Sequence, residues 1–147
     1  MKKTLLAVLL MVFGSILALQ ARDNYSHDVT TLPQAAREII KKQFKAGVSV
    51  IKIDKDFGRV SEYEVILTDG TEVTFDSKGN WESVETSVNK SVPSYFVLKE
   101  IQTYVSKNHA GQKITGIEKK RNGFEVELSN GIDMKFDKAG TFTGYDD

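Results

Sequence analysis

Apolar residues recur along this chain in two rhythms, one helical and one alternating as in a half-buried strand. Ala36, Ile39, Ile40 and Phe44 follow helical spacing. The preceding Thr31-Leu32-Pro33-Gln34 reads as a helix start. Thr31 is placed to cap, Pro33 sits in the first turn where no amide partner is needed, and Gln34 completes a capping box. Gly47 reads as the stop. A second helix is expected after Val92-Pro93, with Val97, Leu98, Ile101, Tyr104 and Val105 as its buried stripe, and Asn108 and Gly111 marking its end.

The alternating segments come as a near copy of one another. The stretch from Glu64 to Gly79 returns sixty-one residues later, from Glu125 to Gly140, with seven of sixteen positions identical. These are Glu64/Glu125, Val65/Val126, Leu67/Leu128, Gly70/Gly131, Phe75/Phe136, Asp76/Asp137 and Gly79/Gly140. Such self-similarity at one offset reads as a tandem duplication. Hairpin register follows from which faces separate. A two-residue loop at Asp69-Gly70 would mix core and solvent positions on one face. A three-residue loop with Gly70 left-handed pairs Tyr63 with Phe75, Val65 with Val73, Glu64 with Thr74 and Ile66 with Glu72. The same device pairs Phe124 with Phe136, Val126 with Met134, Leu128 with Ile132, Glu125 with Lys135 and Glu127 with Asp133. In the next turns Phe75 faces Trp81 and Phe136 faces Phe142, with Asp76 and Asp137 bonding the following amides.

With an earlier strand in each half, Val48 to Asp54 and about Lys113 to Lys119, the expected fold is α+β. It comprises two tandem repeats, residues 31–85 and 92–147, joined by a polar linker at 86–91. Each is one helix packed on a four-stranded antiparallel meander sheet with the opposite face open. About 60 residues per repeat is marginal for an independent core, so the halves are expected to share one sheet or press together. Residues 22–30 read as a polar tail.

The N-terminus carries an address. Met1-Lys2-Lys3 precedes an apolar run from Thr4 to Leu19, with Ala21 at a cleavage point, so residues 1–21 read as a secretory signal peptide. The run is short for a membrane span, which needs roughly 20 residues. The chain is then periplasmic or secreted, without stable membrane insertion after cleavage. Loss of Lys2 and Lys3 leaves 18 basic and 20 acidic side chains. A slightly negative chain argues against nucleic acid and against docking on anionic lipid. With no cysteine there is no disulfide framework and no thiolate for catalysis or metal.

Little else carries chemistry. His27 lies in the polar tail and His109 at a helix end, with no ligand spacing between them. Asp76 and Asp137 lack the ligand pattern of a calcium loop and read as turn caps. No catalytic residues, metal ligands or cofactor are expected. The open face gathers Glu64, Glu72, Glu125, Glu127 and Asp133, beside Lys52, Lys135 and the apolar Ile66. The plain reading is a solvated face neutralised by its lysines; the functional one is a patch that meets a basic partner or holds a cation. Trp81 reads as core.

The helix-opening Leu-Pro, Tyr63-Glu64-Val65, Asp69-Gly70, Phe75-Asp76 and Lys78-Gly79-Asn80-Trp81 resemble the PepSY-like, β-lactamase-inhibitor-like family of small secreted or periplasmic proteins of Bacteroides-type bacteria. The resemblance spans the mature chain, once per repeat, and is weaker in the second, where Phe142 stands for Trp81. It implies helices on one side of an antiparallel sheet, the other side open to a partner, and no enzymatic activity. The expected function is a non-enzymatic binding protein, an inhibitor or regulator of an envelope or secreted enzyme. The alternative is an envelope protein that binds a small ligand or a cation.

Overall fold

A computed structural model describes residues 24–146. The expected signal peptide, residues 1–21, lies outside the described residues. Among those described are two helices, α1 (Gln34–Gln43) and α2 (Lys99–Asn108). The strands are β1 (Tyr25–Ser26), β2 (Val48–Asp56), β3 (Arg59–Leu67), β4 (Glu72–Asp76), β5 (Trp81–Glu85), β6 (Ile114–Lys120), β7 (Gly123–Leu128), β8 (Asp133–Asp137) and β9 (Phe142–Tyr145).

Every strand pairs antiparallel with its neighbour in sequence, so a single nine-stranded sheet runs from β1 to β9. This corrects the expectation of a four-stranded sheet under each helix. β5 joins β6 directly through Ser83↔Glu118, Val84↔Ile117 and Glu85↔Gly116. Left apart, the two strands would be edges with unpaired amides. The ninth strand comes from the segment expected to be only a polar tail: Tyr25 pairs with Lys52 and Ser26 with Ile51. His27 Nδ1 adds a bond to the Ser49 carbonyl at 2.7 Å.

The hairpins adopt the anticipated three-residue loops. Tyr63↔Phe75, Glu64↔Thr74, Val65↔Val73 and Ile66↔Glu72 recur in the second half as Phe124↔Phe136, Glu125↔Lys135, Val126↔Met134 and Glu127↔Asp133. Phe75 faces Trp81 and Phe136 faces Phe142. Period-two alternation then sends one set of side chains to the helices. Val65, Val73, Phe75 and Val84 of the first half are fully buried with Ile117, Val126, Met134 and Phe136 of the second. Ala36, Ile40, Ile101 and Val105 close this core from above. Between the halves, Phe96 contacts Phe44 at 5.7 Å and Trp81 edge-on at 5.2 Å.

The helix starts differ from expectation. Thr31 does not cap α1. It lies in a 3₁₀ turn, Val29–Thr31, capped by Asp28, and its hydroxyl donates to the Asp28 carbonyl at 2.8 Å. Pro33 holds the N-cap position of α1 without a side-chain bond. α1 also stops before Gly47, because Phe44 is already extended. In the second half Ser94–Phe96 forms the 3₁₀ turn, so Val97 is buried just before α2 rather than on it. The polar linker is fastened at both ends: Lys90 Nζ meets Asp69 at 2.7 Å and the Thr86 amide donates to the Thr115 carbonyl at 2.7 Å.

Gly79, in the β4–β5 turn, seats the start of α1. Its φ is +87°, and a Cβ there would lie 2.9 Å from Pro33 Cβ and 3.0 Å from the Ala36 amide nitrogen. Gly140 meets the start of α2 in the same way, 2.9 Å from Glu100 Cβ. Gly70 has a similar φ of +84° with open space around it. Gly70→Ala is therefore expected to cost about 1 kcal/mol, the left-handed penalty alone. Gly79→Ala is expected to cost roughly 1–3 kcal/mol more, because rigid backbone must move. Urea unfolding of both variants measures the difference; equal losses would mean that the turn does not seat the helix.

Candidate functional site

The sheet face turned away from the helices carries polar side chains in rows that cross the strands. One row runs Lys52, Glu64, Thr74, Ser83, Glu118, Glu125, Lys135. A second, two residues along, runs Val50, Ile66, Glu72, Glu85, Gly116, Glu127, Asp133. All eight residues expected on this face fall in these two rows. The rows divide them into groups of different electrostatic character.

The first row is compensated. Lys52 Nζ lies 3.6 Å from Glu64 and 3.0 Å from Asp54. Glu64 is buried beneath its neighbours. Lys120 Nζ bridges Glu118 at 2.8 Å and Glu125 at 3.2 Å. Lys135, opposite Glu125, lies 2.7 Å from Asp146. Apart from the one to buried Glu64, these are partly exposed pairs of a kind that contributes about 0–1 kcal/mol each, so they neutralise the row more than they stabilise the fold.

The second row is not compensated. Among the described residues, Glu72, Glu85, Glu127 and Asp133 have no cation within ion-pair distance. Glu72 stands directly opposite Glu85, and Glu127 opposite Asp133. Burial pushes the Glu85 carboxyl up to about 7, with Glu72, Glu127 and Glu64 adding repulsion. Burial raises Glu127 too, helped by Asp133, and raises Asp133, helped by Asp146 and Glu125. Glu72 is raised by burial and by Glu64. Half-buried carboxylates in a row pay both for lost water and for each other's charge.

Gly116 leaves a gap in this row. The gap is a small cleft of about 30 Å³, lined by Glu118, Glu125, Glu127, Asp133 and Asp146 among others. That is room for roughly one water molecule. Among the described residues, no group of three or more histidines and acids is arranged to grip a bare metal ion.

Glu85 is the residue that sequence reasoning missed. At the border of the polar linker its place in the row depends on the β5–β6 pairing, which a comparison of the two halves does not reveal. Phe57 was missed as well. It sits at the tip of the β2–β3 hairpin, fully exposed, with φ +50°, the one non-glycine residue in left-handed conformation among those described. Its signal was an aromatic residue beside glycine in a charged turn. The other candidates are occupied structurally. Asp76 Oδ1 accepts from the Lys78 and Asn80 amides, each at 2.9 Å, and Asp137 Oδ1 from those of Ala139 and Thr141 at 2.9 and 2.8 Å. His109 Nε2 lies 3.2 Å from the Tyr145 hydroxyl. Trp81 packs on the core with Lys119 Nζ 3.9 Å above its ring.

The family model described as "Putative beta-lactamase-inhibitor-like, PepSY-like" matches residues 61–143. The chain belongs to the PepSY-like family. This PepSY-like chain is also similar to solved structures. It is 43% identical to a putative periplasmic protein of unknown function from Bacteroides vulgatus, with a TM-score of 0.78, covering 84% of this chain and 98% of that one. It is 38% identical to a putative calcium-regulated periplasmic protein from Bacteroides thetaiotaomicron, with a TM-score of 0.77, covering 86% and 99%. A further putative periplasmic protein from B. vulgatus is 34% identical, with a TM-score of 0.74, covering 85% and 98%. No curated protein matches the chain significantly. No helix among the described residues is long and apolar enough to cross a membrane.

The acidic row has a consequence for stability. Glu85 has an ordinary value of 4.5 and titrates at about 7 in the folded chain. Between those values the folded state holds more protons than the unfolded, so stability falls as pH rises through the window. The opposite holds for Asp28, Asp69 and Asp146, which the Thr30 hydroxyl, Lys90 and Lys135 respectively hold below 3.8. Protonating those three costs stability at lower pH. The melting temperature is therefore expected to peak near about pH 4–5 and to decline toward about pH 8. Glu85→Gln should flatten that decline. A melting series in which the variant and the native chain decline equally above pH 5 would place the strain elsewhere.

Proposed function

We propose that this PepSY-like chain is a non-catalytic binding protein of the bacterial periplasm, whose open sheet face docks a basic protein partner. The observation that carries this reading is the uncompensated row Glu72, Glu85, Glu127 and Asp133, flanked at one end by the half-buried apolar pair Val50 and Ile66. A row of carboxylates that costs the free protein stability is relieved when cations from a partner enter it. Lys52, Glu64, Glu125 and Lys135 border the row and would set register and orientation. Phe57 offers an exposed aromatic anchor at the tip of the β2–β3 hairpin, seven residues along the chain from Val50. The periplasmic assignment draws on the three relatives, all described as periplasmic, and on the expected signal peptide. A role in restraining an envelope or secreted enzyme draws on the inhibitor-like description of the family. The same reading takes the two halves, 31–85 and 92–147, as copies of one helix-plus-meander unit. Their helices are offset by 65 residues and their paired hairpins by 61.

The test is capture from periplasmic extract by residues 22–147, at about pH 8 and at about pH 5.5, with Ile66→Lys/Glu127→Lys as comparison. A partner held at the higher pH, weakened at the lower as Glu85 takes a proton, and lost in the variant is expected. Capture that ignores both changes would remove the open face from consideration.

A second reading has its own observation. The cleft over Gly116 is ringed by acids, and a relative 38% identical is described as calcium-regulated. Calcium takes six to eight oxygen ligands, so an ion here would keep part of its water shell. Calcium is then expected to raise the melting temperature of the native chain and not that of Glu127→Gln/Asp133→Asn. No calcium-dependent shift at millimolar concentration would dismiss this reading.

A further inference from the structure

On the helical side of the molecule, the face opposite the acidic row, a cleft of about 360 Å³ opens between α1 and the beginning of β2. Leu32, Ile40, Phe44 and Val48 give it an apolar wall, and Arg37 and Lys41 stand at its mouth. Its volume is within the range of small-molecule sites, which combine apolar walls with a few polar groups that fix orientation. Arg37 and Lys41 are four residues apart on α1, so their heads lie on one side of the helix one turn apart. Like charges so placed repel. Neither side chain makes an ion pair within 4 Å among the described residues. Asp28 feels Arg37 electrostatically without an ion pair within 4 Å, and its Oδ1 accepts from the Thr30 amide at 2.8 Å and the Thr30 hydroxyl at 2.7 Å.

The second half supplies an internal control. α2 lies 65 residues after α1, and the same seam between helix and sheet again forms a cleft, of about 210 Å³, with Val97, Val105 and Ile114 where the first has Leu32, Ile40 and Val48. The positions of Arg37 and Lys41 are held there by Gln102 and Ser106, both neutral. Both are satisfied internally: Gln102 Nε2 donates to the Val97 carbonyl at 2.8 Å, and Ser106 Oγ donates to the Gln102 carbonyl at 2.9 Å. The one cation lining the second cleft, Lys113, is spent on the Asn89 carbonyl at 2.8 Å, so the fold builds this seam without a cation at either matched helix position. The pair at the mouth of the first cleft is an addition that the architecture does not require.

We propose that the first cleft binds a fatty acid, its hydrocarbon chain lying along Leu32, Ile40, Phe44 and Val48 and its carboxylate held between Arg37 and Lys41. The apolar wall covers one side of the chain, and two cations one helical turn apart select an anionic head over a neutral one. The site is separate from the acidic face, and its occupancy does not depend on the partner proposed for that face.

The test is calorimetric titration of the mature chain with dodecanoate below its micellar concentration, beside dodecanol and butyrate. The double variant Arg37→Gln/Lys41→Ser carries into the first half the side chains that the second already uses, so it is expected to fold and melt as the native chain does. Saturable one-to-one binding of dodecanoate, about tenfold or more weaker in the variant, is expected. Dodecanol should bind more weakly than dodecanoate and equally to both chains, and butyrate should not saturate. Absence of saturable dodecanoate binding would overturn the proposal. So would dodecanoate affinity that the variant leaves unchanged, or dodecanol binding as tightly as the acid.

Discussion

The pairing of β5 with β6 is the contact on which the rest of this structure depends. Each half presents a helix and a short meander, an assembly of about 60 residues that is marginal on its own. The seam changes that size. Val84 and Ile117 face each other across it, both buried, each contributing on the order of 2 kcal/mol by leaving water. It also removes two bare strand edges at once. Phe96 then fills the space above the seam, touching Trp81 from one half and Phe44 at the end of α1. A chain without disulfides thereby obtains one core in place of two small ones.

The same pairing creates the electrostatic problem on the other face. Strand alternation that puts Val84 beside Ile117 necessarily puts Glu85 beside Gly116, with Glu72 and Glu127 the next neighbours across. Acids that are separate in the sequence become one row in the sheet. A side chain larger than hydrogen at residue 116 would crowd Glu127, whose Cβ lies 3.3 Å from where a Cβ would be placed. The glycine therefore eases the row sterically and leaves the small cleft above it. Burial of the seam outweighs repulsion in the row, since the repulsion is partly relieved by protonation and by water while the core gain is not. Under the function proposed above, cations from a partner would relieve the cost that this row carries in the free chain.

Much of this was legible in the sequence, because the strongest constraints were local. Gly70 and Gly131 fix three-residue hairpin loops, and those loops fix which of Glu64 and Val65 faces the core. The helical stripes of Ala36 and Ile40, and of Ile101 and Val105, were equally plain. The helix starts were misread because Thr31 met the local rules for a cap, whereas tertiary contact decided the matter. The β4–β5 turn at Gly79 presses on Pro33 and Ala36, so α1 begins against that turn. Glu85, β1 and the register of the β5–β6 seam were hidden for a common reason. Each depends on pairing between segments that no repeat, motif or periodicity relates. The cleft under α1 was hidden differently: Arg37 and Lys41 look like an ordinary solvated helix face until the apolar wall beside them is seen.

The two halves separate what the fold demands from what it merely allows. Where they agree, a physical constraint can be named. Gly79 and Gly140 both lie against a helix start, Asp76 and Asp137 both tie down the turn amides, and Phe75 and Phe136 both fill the core. Where they differ at matched positions, the fold has shown that it tolerates either choice. Gln102 and Ser106 close their own hydrogen bonds, while Arg37 and Lys41 at the matching positions place unpaired charge beside apolar surface. The first half departs again at its hairpin tip, where Phe57 adopts a backbone conformation that costs about 1 kcal/mol or more for a non-glycine residue. Departures that cost stability, or that spend charge without pairing it, are poor candidates for scaffolding. In a chain whose core residues account for stability, they are where interaction with other molecules should be sought.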